Sequence, residues 1–202
     1  MRRRLPAAIC ILCAALAATA RAEGIDDAVA GTYWGEAPET LQRHLGTRGV
    51  ALPHPLDFGD SYAPLVMRGV TIGGYPLIAY YQIDKVTHGL KRIQLERNRH
   101  GVNPPAFRAI LAALDSELGP PSALCGTRAG PASGYQAASE RVWQRDGIVI
   151  RAIFRDTTIE AFEGCLAGDP SLGPCGLTGQ LLVRVSPPSL DPGYCPAPAH
   201  AR

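Results

Sequence analysis

The stretch Leu77-Ile78-Ala79-Tyr80-Tyr81-Gln82-Ile83-Asp84 alternates with period two, and its reading decides the fold. Successive side chains of a strand point to opposite faces, so Leu77, Ala79, Tyr81 and Ile83 share one face while Ile78, Tyr80 and Gln82 share the other. The alternation also runs ahead of this stretch, through residues 65–72, and behind it, through residues 90–97. There Ile93 and Leu95 match the apolar face, and Arg92, Gln94 and Glu96 match the polar one. Gly73-Gly74 and His88-Gly89 supply the intervening turns. Three antiparallel strands are expected, with one face in the core and the other in water.

A helix is expected on each side of this meander. Upstream, Glu36-Ala37-Pro38-Glu39-Thr40-Leu41-Gln42-Arg43-His44-Leu45-Gly46 puts proline and acids at the start, Leu41 and Leu45 on one stripe, and glycine at the stop. Residues 47–60, with two prolines and little periodicity, read as a loop. Downstream, Asn103 caps Pro104-Pro105, Phe107, Ile110, Leu111, Leu114 and Leu118 form an apolar stripe, and Gly119-Pro120-Pro121 ends the helix. Residues 122–139 then read as irregular. A hairpin follows, residues 141–145 and 148–155 joined by Asp146-Gly147, a dipeptide that favours a type I′ turn. Trp143 faces Ile150 across it, and Ala152 and Phe154 join them on an inner face. Val142, Gln144, Val149, Arg151, Ile153 and Arg155 are left outside.

The unit of helix, glycine stop and strands thus occurs twice, over about residues 33–97 and 103–155, in an α+β domain spanning 23–163. Residues 164–202 hold 6 glycines and 7 prolines, interrupted by one strand-like run near 180–185. They read as an extension without a core of its own.

The N-terminus changes the charge balance. Arg2, Arg3 and Arg4, an apolar run from Leu5 to Ala18, and Ala20-Arg21-Ala22 together form a secretory signal peptide over residues 1–22. The run is shorter than the roughly 20 residues a bilayer span needs. Neither Cys10 nor Cys13 follows a small residue, as lipidation would require. Cleavage after Ala22 removes four arginines and no acid, so 20 basic and 18 acidic side chains become 16 and 18. No positive net charge remains to hold a nucleic acid. A periplasmic or secreted location is expected, and the Ala, Arg and Pro usage suggests a GC-rich bacterial source.

Four cysteines then remain, Cys125, Cys165, Cys175 and Cys195, and an even number in an exported chain implies two disulfides. Three pairings are open. The favoured one joins Cys165 to Cys175 and Cys125 to Cys195, fastening the extension to the domain.

Trp34-Gly35 leading into Leu41-Gln42-Arg43-His44-Leu45-Gly46, with Leu114-Asp115-Ser116-Glu117-Leu118-Gly119-Pro120 followed by Trp143 in a strand, resembles exported proteins built from tandem helix-plus-meander units. These are the β-lactamase-inhibitor-protein fold and the outer-membrane assembly lipoproteins of the BamE/SmpA kind. The resemblance covers about residues 33–185. It implies a role in binding other proteins at the cell envelope, and it carries over no functional residue. The missing lipid-attachment cysteine counts against membrane tethering.

His44, His54, His88, His100 and His200 form no i,i+4 pair and adjoin no cysteine, so no metal and no cofactor is expected. Gly-x-Ser-x-Gly and phosphate-loop patterns are absent. One constellation stands out on the outer sheet face: Tyr80, Gln82, Arg92, Gln94, Gln144, Arg151 and Arg155 lie together there if both meanders join one surface. Tyrosine and arginine are residues that interfaces favour. The expectation is an exported, noncatalytic binding module for a protein or envelope component, with no nucleic-acid partner, no membrane span and an oligomeric state left open. The alternative is a small periplasmic hydrolase with a site between sheet and long loops, using His54, Asp57 or His88.

Overall fold

Alternation and turn chemistry produce eight strands and three helices in the computed structural model, which describes residues 24–97, 103–127, 138–156 and 179–188. The expected leader, Cys165, Cys175 and Cys195 lie outside these residues, and with them both favoured disulfides. Cys125 and Arg155 are placed by their backbones alone.

In chain order the elements are α1 (Ile25–Val29), α2 (Pro38–Leu45), a 3-10 turn (Gly46–Arg48), β1 (Gly49–Asp57), β2 (Ser61–Ile72), β3 (Tyr75–Asp84), β4 (Leu90–Glu96), α3 (Pro104–Leu118), β5 (Ala123–Thr127), β6 (Ala138–Arg145), β7 (Ile148–Asp156) and β8 (Gly179–Ser186). The strands form one antiparallel sheet in the order β1-β2-β3-β4-β8-β7-β6-β5. The molecule is therefore an α+β fold dominated by its sheet. No helix among the described residues is long and apolar enough to cross a membrane.

The helix signals act as the chemistry requires. Asn103 accepts a hydrogen bond from the Ala106 N–H at 3.1 Å, Pro104 and Pro105 occupy the first turn, and Gly119 ends α3 with φ 79°. Pro38 opens α2 and Gly46 closes it with φ 56°. In the Asp146-Gly147 turn both residues have positive φ, 49° and 77°, as a type I′ turn demands. Trp143 pairs with Ile150, and its indole N–H donates to the Gly119 carbonyl at 2.9 Å, tying the sheet to the end of α3.

The core lies between the helices and one sheet face. Leu77, Ala79, Tyr81, Ile83, Ile93 and Leu95, the apolar side of the alternation, are all buried there with Leu41, Leu45, Ile110, Leu114, Trp143, Ile150 and Ala152. Short α1 adds Ile25 and Ala28, and the buried Tyr81 hydroxyl donates to the Ala28 carbonyl at 2.9 Å.

Three expectations change. Residues 47–60 are not a loop: most of them form β1, an edge strand that pairs with β2 only at its two ends, where Ala51 and Leu56 flank an irregularity. Pro53 and Pro55 fall in that gap, where no ladder N–H is needed. The irregular stretch 122–139 begins with β5, the opposite edge of the sheet. Above all, the face away from the core cluster is only partly wet. Gln82, Arg92 and Gln94 are buried on it, and so are Val66, Val142, Val149, Ile153 and Leu182. Alternation sorts side chains between faces but does not say which face is covered, and this second face carries its own aliphatic residues between the polar ones.

Candidate functional site

The run near residues 180–185 becomes a central strand. β8 lies between β4 and β7, so it joins the two meanders into one surface. Across that seam Tyr80 pairs with Gln94, Gln94 with Arg184, Arg184 with Arg151, and Arg151 with Val142. Adjacent strands lie about 4.8 Å apart, so Tyr80, Gln94, Arg184 and Arg151 form a continuous row on the second face. Two residues along, Gln82 pairs with Arg92, and Gln144 with Val149. The structure thus gathers Tyr80, Gln82, Arg92, Gln94, Gln144 and Arg151 on one face; Arg155 lies on the same strand as Arg151, opposite Gln180.

Accessibility divides this group. Gln82, Arg92 and Gln94 are buried, Tyr80 and Arg151 are partly buried, and Gln144 is exposed. The buried members form a network at one end. Arg92 donates through Nε to Gln82 Oε1, through Nη2 to Asp60 Oδ1 at 2.6 Å and to Ser61 Oγ at 3.1 Å, while Ser61 Oγ donates to Gln82 Oε1 at 3.2 Å. Lys91 bridges Asp60 and Asp84, at 2.9 Å to each. Partial burial pushes the Asp60 carboxyl up, but the Lys91 hydrogen bond and the charge of Arg92 outweigh it and hold the group at about 2. Asp84 is lowered by the hydrogen bond from Lys91 and by the Thr87 and Val86 N–H groups. These pairings make the Asp60 end a structural clamp.

The other end has a different character. Arg184 and Arg151 are direct cross-strand neighbours, a like-charge placement that costs stability in a sheet. Each is held by a polar neighbour: Arg184 Nε donates to Gln94 Oε1 at 2.9 Å, and Arg151 Nη1 lies 3.3 Å from the Glu140 carboxylate. The Arg151 Nε is buried without a hydrogen-bond partner, and so is Gln82 Nε2. Tyr80 packs its ring against Phe58, with centroids 5.8 Å apart, and burial raises its hydroxyl pKa. Two adjacent guanidiniums, a phenol and an amide can together recognise carboxylates or other anionic groups.

Sequence reasoning misses Arg184 because residues 180–185 read as part of the extension. The alternation of Leu181, Val183 and Val185 with Leu182 and Arg184 was the available signal.

The residues of the hydrolase alternative lie on edge strand β1 and in the β3–β4 turn. His54 is exposed on edge strand β1, Asp57 pairs with Lys85 at 2.7 Å, and His88 occupies a left-handed turn position at φ 57°. The loops between β5 and β6 and between β7 and β8 lie outside the described residues. One histidine does reach a carboxylate: His44 Nδ1 lies 2.8 Å from Glu36 Oε2. Its ring neighbour is Tyr33, edge-on at 5.4 Å, and among the described residues no serine, threonine or cysteine bonds to it. Nor do the described residues contain a group of three or more potential metal ligands.

Comparison with protein-family models, with curated proteins and with solved structures finds no match to this chain.

Proposed function

We propose that the protein is an exported, noncatalytic binding module that recognises a protein or cell-envelope component through Tyr80, Arg184, Arg151 and Gln144 on the second sheet face. One observation carries this reading: Arg184 and Arg151 stand side by side in register at the seam. Like charges directly opposite one another cost stability in a sheet, and an anionic partner surface would offset that cost. The buried Gln94 and Glu140 hold the two guanidiniums in place, which lowers the entropy lost when a partner binds. Gln82 and Arg92 stiffen the same face from within.

Export rests on the leader-like residues 1–22. The mirrored strand order, with α2 ahead of β1–β4 and α3 ahead of β5–β8, supports two helix-plus-meander units that meet through their last strands. Disulfides among Cys125, Cys165, Cys175 and Cys195 would fasten the C-terminal extension to this body.

A photo-crosslinking side chain at Gln144 tests the binding face in the intact envelope, with Val86, 85% exposed in the β3–β4 turn, as the control position. Discrete adducts from position 144, absent from position 86 and reduced by Arg184→Glu, are expected. Adducts equal at both positions, or unchanged by Arg184→Glu, overturn the reading.

A further inference from the structure

We draw no further inference here: the strongest candidate, the groove of about 490 Å³ beside α3 at the β5 end of the sheet, whose apolar wall is Leu111, Leu124, Ala152, Phe154 and Leu181, is a surface for which nothing in the structure shows what covers it.

Discussion

Arg184 on β8 and Gln94 on β4, 90 residues apart in sequence, meet directly across the middle of the sheet, with Arg184 Nε donating to Gln94 Oε1 at 2.9 Å. The last described strand is therefore structural cement between the two halves. A chain ending after Asp156 would leave β4 and β7 as open inner edges, and unpaired edges of this kind promote aggregation. Such a truncation is expected to lose cooperative thermal unfolding and to associate on size exclusion. A monomer with a sharp transition would show that β8 is dispensable.

How much of this was legible in the sequence depended on whether the signal was local. Asn103-Pro104-Pro105, Gly46 and Asp146-Gly147 specify caps and a turn through their own backbone chemistry, and each acts where expected. Alternation at Leu77 to Ile83 sorted the faces of β3 correctly. Edge strand β1 was hidden because Pro53 and Pro55 look like loop residues, and an edge tolerates them. The seam was hidden for another reason. Nothing in residues 180–185 names β4 and β7 as neighbours, since pairing at such separation follows from the whole sheet. For the candidate site, the conditional grouping of Tyr80, Gln94 and Arg151 was legible, but Arg184 between them was not.

The burial of the second face can be measured. Leu182, fully buried there, pairs with Glu96 on one side and Ile153 on the other. Leu182→Ala is expected to cost about 2–5 kcal/mol in urea unfolding, as at an ordinary core site. A loss under about 0.5 kcal/mol, typical of surface positions, would show this face to be solvated.

The Gly73-Gly74 turn separates backbone freedom from close approach. Both residues have positive φ, 58° and 80°, but a β-carbon at Gly73 would overlap the Ala109 carbonyl of α3, whereas one at Gly74 meets nothing within 4 Å. Gly74→Ala is expected to cost about 1–2 kcal/mol for the left-handed conformation alone. Gly73→Ala should cost clearly more, since the turn must also lift off α3. Equal losses would mean that α3 does not bear on this turn.

Part of the acid sensitivity should originate at Asp60. Its carboxyl is held at about 2, below the ordinary 3.8, by Lys91 and Arg92 against the opposing effect of burial. A carboxylate lowered in the folded state contributes stability that is fully present above its unfolded pKa and is lost as pH falls through its folded one. The contribution of Asp60 is thus complete above about pH 4 and fades towards pH 2. Asp60→Asn should lower the urea midpoint at pH 7, because it removes the anionic partner of Arg92, a side chain only 8% exposed. The gap between variant and parent should then narrow steadily below pH 4. Asp84 and Asp57, also lowered, remain in both proteins and leave a common acid limb. A gap that stays constant from pH 7 to pH 2 would show that Asp60 adds nothing to the acid sensitivity.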